Sequence, residues 1–250
     1  LSQQKWKFLF VPFLLIAQLF AIKKICEKKQ CKVINAHWLV PQGFIAGLYK
    51  KFFNKDIKIV STSHGSDLNM SFGRIGNKLL QFIAKQTDRL TVVSNELKEK
   101  AKKVGFRNDI AVIHMGIDIN RFRPQQNSEI LRNHLGISKW MLLFVGFFNE
   151  VKGIEYIIEA MPEILTQKPD TKLVLVGDGV LKAKLRQRIE EKKLTNHVTF
   201  TGFIKQDELP RYYSAADIVL MPSLSEGSPV VLPEALSCGA TVITSDLPVY

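Results

Sequence analysis

Short apolar runs alternate along this chain with stretches whose apolar residues recur at helical spacing. Lys32-Val33-Ile34-Asn35 reads as a strand, and helical sequence follows around Gly43 to Phe53. Ile57-Lys58-Ile59-Val60-Ser61 is the next strand, followed by a helix from Gly73 to Gln86. Arg89 to Val93 leads into a helix from Asn95 to Val104, and Ile110 to Ile113 closes the series. Strands alternating with helices of this length predict βαβ units and a parallel sheet. The rhythm breaks over residues 120–139, where Arg123-Pro124-Gln125-Gln126-Asn127-Ser128 is polar and reads as a linker. It restarts at Met141 to Gly146, and the helix that follows carries Ile154, Ile157, Ile158, Met161, Ile164 and Leu165 on one stripe. A strand at Leu173 to Val176, a Gly177-Asp178-Gly179 turn, a helix through Lys193, and strands at Val198 to Thr201 and Ile218 to Met221 complete the pattern. The expectation is an α/β protein of two doubly wound domains facing a cleft: 1–122, a linker at 123–139, and 140–250.

The segment Ser225 to Ala235 holds the densest candidate chemistry. It follows the short apolar run Ile218 to Met221 and leads into a helix opened by Pro233 and ended by Gly239. Backbone N–H groups and the positive end of a helix dipole meet there, which suits a phosphate-bearing ligand. Glu226 and Glu234 flank the apolar loop, and ionised carboxylates accept the hydrogen bonds that sugar hydroxyls donate. The pattern fits a sugar joined to a phosphate. The plainer alternative is an ordinary strand-to-helix turn with Glu226 on the surface and Glu234 as a partner of the helix dipole. Against that alternative stands a coincidence of place. The other unusual residues, His64-Gly65-Ser66-Asp67, Gly146 to Gly153 and Gly177 to Gly179, also follow strands, where ligands of parallel α/β sheets bind.

Charge changes the picture for one half only. The net charge is +12, yet residues 1–125 hold 22 Lys and Arg against 8 Asp and Glu, while residues 126–250 hold 13 against 15. The basic clusters Lys23-Lys24, Lys28-Lys29, Lys50-Lys51 and Lys98 to Lys103 suggest an anionic partner for the first half, such as a phospholipid surface or a lipid-phosphate acceptor. A lysine-rich surface set by composition alone is the other reading. No nucleic-acid motif accompanies these clusters, so no nucleic-acid partner is expected. The run Phe8 to Ile22 is too short for a membrane span, interrupted by Pro12 and Gln18, and lacks a cleavage site for a signal peptide. Leu14, Leu15, Gln18, Leu19 and Ile22 read instead as a helix packing on a sheet or lying at a bilayer interface. Three cysteines, Cys26, Cys31 and Cys238, show no paired spacing, which fits a reducing, cytoplasmic compartment and argues against a disulfide scaffold or zinc site.

With these segments placed, the chain resembles the retaining nucleotide-sugar glycosyltransferases of the GT-B fold, of the group 1 or family-4 type. The residues that carry the resemblance in the first half are His37-Trp38 with Pro41 and Gly43, Ser63 to Asp67, Val93-Ser94, Gly116-Ile117-Asp118 and Phe122-Arg123-Pro124. In the second half they are Val145-Gly146 to Lys152-Gly153, Gly177-Asp178-Gly179, Gly202-Phe203 and the pair Glu226/Glu234. The resemblance implies a donor that is a UDP- or GDP-sugar and an acceptor that is a glycan or a lipid-linked glycan, with no cofactor. It implies His64, Lys152 and Glu226 as the catalytic set. His64 would sit near the sugar and its phosphate, Lys152 would neutralise the departing diphosphate, and Glu226 would hold sugar hydroxyls. Glu234 would take the ribose hydroxyls, and Gly146 and the backbone of Gly227, Ser228, Pro229, Val230 and Val231 would line the donor. Phe203 and Ile204 would flank the base. The sequence has no Asp-x-Asp, so no metal site is expected. The family's front-face mechanism would have the leaving phosphate help to deprotonate the acceptor.

Two departures accompany the resemblance. Members commonly carry an Arg after the glycine matched by Gly146, where this chain has Phe147 and Phe148. A first strand and its acceptor loop are expected before Lys5, and further elements after Tyr250, so the chain reads as a fragment. Two other functions stay open: a catalytically degenerate GT-B protein that only binds a nucleotide sugar, favoured by Phe147, and a GT-B-like UDP-sugar epimerase. His37 and His114 read equally as strand-end hydrogen-bonding residues or as ligands.

Overall fold

In a computed structural model, which describes residues 10–69, 73–107, 109–126 and 128–250, the chain divides into two compact units. The first runs to His114 and the second from Met115 to Pro248. Phe122, expected at the end of the first domain, is buried in the core of the second unit beside Tyr213.

The first unit begins with α1 (Val11–Lys29) and continues β1 (Val33–His37), α2 (Phe44–Phe52), β2 (Lys58–Ser63), α3 (Ser66–Asn69), α4 (Gly73–Gln86), β3 (Arg89–Val92), α5 (Asn95–Val104) and β4 (Ile110–Val112). Its strands pair in parallel in the order β1-β2-β3-β4. Each step goes the same way, so right-handed crossovers put the connecting helices on one face. Burial alternates accordingly: Ala36, Ile59, Ser61, Leu90 and Val92 are buried, while Val33, Asn35 and His37 are exposed. Local signals set the helix ends. Ser94 caps α5 by accepting from Leu97 N, and Gly105 closes it in the left-handed region at φ 115°. The first helix departs from the expectation. It runs past Ile22 to Lys29 and packs through Leu19, Ile22 and Cys26 against Tyr49 and Ile57, whereas Leu14 is exposed. Among the described residues no helix is long and apolar enough to cross a membrane.

The second unit comprises α6 (Ser128–His134), β5 (Trp140–Val145), α7 (Ile154–Gln167), β6 (Thr171–Val176), α8 (Lys182–Glu191), β7 (Val198–Gly202), α9 (Leu209–Ala215), β8 (Ile218–Met221), α10 (Val231–Ser237) and β9 (Thr241–Thr244). All pairings are parallel, in the order β7-β6-β5-β8-β9. The winding therefore starts at the centre, runs outward through β6 and β7, and returns to the other side of β5. A right-handed connection must then change face, so α7 and α8 cover one side and α9 and α10 the other. The strand residues divide on the same lines. Leu142, Phe144, Leu173 and Leu175 pack with Ile154, Ile157, Ile158, Leu185 and Ile189. Their alternates Met141, Leu143, Val174 and Val176 pack with Tyr213, Ala215, Ala235 and Cys238. Burial on both faces explains why these strands are continuous apolar runs. The expected linker contains α6, which Arg132 fastens to the sheet by donating to the Ala215 and Lys139 carbonyls and to Asp217.

Candidate active site in the second unit

The reversal of strand order places a crevice between the carboxyl ends of β5 and β8, because the loops leaving these neighbouring strands turn to opposite faces. The loop after β5 contains a short 3-10 turn, Glu150–Lys152, capped by Asn149, whose side chain accepts from Lys152 N at 3.2 Å. Gly153 ends the turn at φ 64°, and a Cβ there would stand 2.1 Å from the Pro222 carbonyl oxygen. Only glycine lets the two loops approach this closely. Leu224 N donates to the Val151 carbonyl at 2.8 Å and ties them together.

This tie brings the first two candidates into contact. Lys152 Nζ lies 2.6 Å from Glu226 Oε1, and Ser223 Oγ donates to the same oxygen at 2.7 Å. Neither bond uses Oε2. Ser223 is 2% exposed, and its carbonyl accepts from Ser245 Oγ at 2.5 Å. Lys152, Ser223, Glu226, Ser228, Pro229, Val230 and Val231 line a cavity of about 160 Å3 with Phe144, Val145 and Met221. Nothing in the sequence pattern distinguished Ser223, which precedes the motif by itself on a strand-end loop.

Glu234 takes a different position. On the first turns of α10 it is 4% exposed and accepts from the Tyr213 hydroxyl on α9 at 2.9 Å. Burial raises its carboxyl above the ordinary range, and the Tyr213 bond pulls the other way. Burial together with the neighbouring Glu234 raises the Tyr213 phenol, and burial lifts the Cys238 thiol to about 11. Tyr213 thus donates to Glu234 as a neutral hydroxyl. It is a partner the sequence reading missed, since a tyrosine beside another tyrosine, Tyr212, carries no signal of its own.

A second recess of about 350 Å3 adjoins the carboxyl ends of β5, β6 and β7 and shares Val145 with the first. Gly146, Phe147, Val176, Gly177, Asp178, Phe203, Ile204 and Leu209 line it. Gly177 is at φ 132°, and a Cβ there would meet the Gly146 carbonyl oxygen at 1.9 Å. Phe203 is 84% exposed, while Ile204 is half-buried against the core. Phe147 borders this recess, and Phe148 is fully buried in the core. A still larger cavity, about 840 Å3, lies along α6 and α9 and contains none of the candidate residues.

His64 belongs to the first unit. Its Nε2 lies 2.9 Å from Nδ1 of His37, and the rings stack at 5.2 Å between centroids. One of these nitrogens must carry the shared proton and the other accept it. Asp67 fixes the loop beneath, accepting from Leu39 N, Ser63 Oγ and Gly65 N. His37 is therefore a hydrogen-bonding partner of His64. Among the described residues no group of three His, Cys, Asp or Glu side chains is gathered closely enough to hold a metal ion.

The chain as a whole has counterparts among known proteins. The family model for glycosyl transferases group 1 matches residues 127–250, and that for Glycosyltransferase Family 4 matches residues 4–121. The chain belongs to the group 1 glycosyltransferases. It is 30% identical over 224 residues to N-acetyl-alpha-D-glucosaminyl L-malate synthase of Bacillus anthracis, covering 88% of this chain and 58% of that relative. It is 33% identical over 221 residues to the putative teichuronic acid biosynthesis glycosyltransferase TuaC of Bacillus subtilis, covering 86% of this chain and 53% of that protein. The chain thus spans little more than half the length of these relatives. Among solved structures, Alr3699/HepE of Anabaena in complex with UDP and glucose superposes with a TM-score of 0.79 at 22% identity, over 91% of this chain and 63% of that one. These likenesses show the α/β GT-B fold.

Proposed function

We propose that the protein is a retaining glycosyltransferase that moves a sugar from a UDP- or GDP-sugar to a glycan or lipid-linked acceptor in cell-surface polysaccharide or glycolipid synthesis. The observation that carries this reading is the Lys152–Glu226 pair on the wall of the cavity at the switch point of the second sheet, with Glu234 on the helix that follows the same loop. Lys152 stabilises the charge on the departing diphosphate without a metal. Glu226, through its unused Oε2, accepts a donor-sugar hydroxyl, and Glu234 accepts from the ribose. The apolar recess bordered by Phe147, Phe203 and Ile204 receives the base, and the backbone of Gly227 to Val231 lies along the sugar and diphosphate. The UDP and glucose held by HepE and the teichuronic acid biosynthesis in the TuaC name support this choice of ligands and product.

In the reaction, the bond between the anomeric carbon and the phosphate oxygen breaks and the diphosphate leaves with the electron pair. The acceptor oxygen bonds to the same face of that carbon, and its proton passes to the leaving phosphate. His64, held by His37, acts on turnover from the first unit. The place of action is the cytoplasmic face of an anionic membrane. Phe10, Phe13, Ile16 and Phe20 stand exposed on and before α1, with Lys24, Lys28 and Lys29 toward its end. Co-sedimentation with vesicles that depends on neither salt nor anionic lipid would remove the membrane part.

The test of the central reading is release of UDP or GDP from a panel of nucleotide sugars by the full-length protein, alongside Lys152→Ala and Glu234→Ala. Turnover with one donor, reduced about 100-fold or more in Lys152→Ala, is expected. Saturable nucleotide-sugar binding without turnover, even with lipid acceptors supplied, would favour the degenerate binding protein instead.

A further inference from the structure

The Lys152–Glu226 pair has a second consequence, which rests on the donor reading above. The Glu226 side chain is 10% exposed and that of Lys152 28%, so the carboxylate has little access to water and the ammonium has more. Both of the carboxylate's hydrogen bonds, from Lys152 and from Ser223, end on Oε1. A diphosphate that draws the ammonium toward itself leaves Glu226 with Ser223 alone. A shielded carboxylate that loses its cation carries a large desolvation cost. It also stands beside the incoming negative charge. An intact nucleotide sugar brings hydroxyls that replace the lost ammonium on the carboxylate. A bare nucleoside diphosphate brings no such donors and one further negative charge.

We propose that the Lys152–Glu226 pair is a charge-exchange gate that discriminates the intact donor from its own nucleoside diphosphate product. In the free site the pair holds the cation neutralised. The donor opens it by taking Lys152 with its phosphates and satisfying Glu226 with its sugar. Once the sugar has moved to the acceptor, Glu226 reclaims Lys152 and the diphosphate is released. The pair thus sets product affinity as well as donor orientation.

The gate predicts that a substitution expected to harm turnover tightens product binding. Calorimetric titration of the full-length protein with UDP and with GDP should show Glu226→Gln binding the preferred nucleotide about fivefold or more tightly than wild type. The gain must act through the lysine, so it should vanish in a Lys152→Ala background, where Lys152→Ala is compared with the double variant. Ser223→Ala keeps both charges but removes the one donor left to Glu226 when the pair opens, so it should weaken nucleotide binding, opposite in sign to Glu226→Gln. Thermal melts of all variants establish that they are folded. Unchanged or weaker binding by Glu226→Gln overturns the gate, and so does an equal gain with and without Lys152. If neither nucleotide binds wild type or any variant, the donor reading itself fails and the gate with it.

Discussion

The two sheets of this chain are built from the same local grammar, an apolar strand, a loop rich in glycine and polar residues, and a helix. Their sites nevertheless differ. In the first unit the described strands step in one direction, and the polar loops after β1 and β2 leave side by side. His37 and His64 meet there ring against ring and engage each other. In the second unit the winding reverses at β5, the loops after β5 and β8 lead to helices on opposite faces, and a cavity lies where they meet, with Lys152, Ser223 and Glu226 on its wall. The difference shows that a polar loop at a strand end becomes a concave site where strand order reverses. The residues at the reversal then gain their chemistry from the loop across the crevice.

The largest expected effect comes from forcing the two loops of that crevice apart where they touch. Gly153→Ala forces a Cβ into the Pro222 carbonyl at a left-handed φ. It should destabilise the second unit by about 3 kcal/mol in denaturant melts and displace Lys152. The analogous change at Gly105, also at positive φ but with its nearest neighbour at 3.9 Å, should cost only about 1 kcal/mol. Equal losses at the two positions would mean that the loop contact contributes nothing.

A smaller effect separates binding from stability at Glu234. Because burial raises its folded carboxyl, the stability it contributes is full below the ordinary carboxyl pKa and is lost as pH rises through the folded value. Glu234→Gln removes that loss and should hold or raise the melting temperature at neutral pH. It should also weaken nucleotide binding about tenfold, since an amide oxygen accepts less strongly than a carboxylate and its NH2 cannot accept at all. In wild type, nucleotide affinity should rise with pH through the same raised pKa, and this dependence should be absent in Glu234→Gln. Parallel pH profiles for the two proteins would contradict the assignment.

The smallest effect is expected in the first unit. His64→Asn should leave the melting temperature and nucleoside diphosphate affinity nearly unchanged and lower turnover alone. A loss of affinity as large as that of Glu234→Gln would erase the contrast between the two sheets.

Much of this architecture was legible in the chain because local signals and tertiary packing agree. The helices Gly73–Gln86 and Asn95–Val104 and the strand Ile218–Met221 lie where periodicity and capping put them. Helices α6 and α9 were not legible. No residue of α6 is fully buried and Leu131 alone packs on the core from its seven positions, so it shows no apolar period, and Arg132 fixes it by reaching Ala215 and Asp217. Seven residues opened by Leu209-Pro210 give α9 too little length to show one. At the site, the carboxylates and Lys152 were visible as motif residues. Their pairing across 74 positions, and the roles of Ser223 and Tyr213, depend on the reversal of winding, which no local window contains.

The donor site is tested most directly by where a nucleotide is held. Hydrogen exchange of the full-length protein, with and without saturating UDP or GDP, reads this segment by segment. Protection is predicted in the loops after β5 and β8, over residues 146–153 and 222–234. Protection confined to residues 37–43 and 63–67, with the second sheet unaffected, would contradict the placement of the donor site at the switch point.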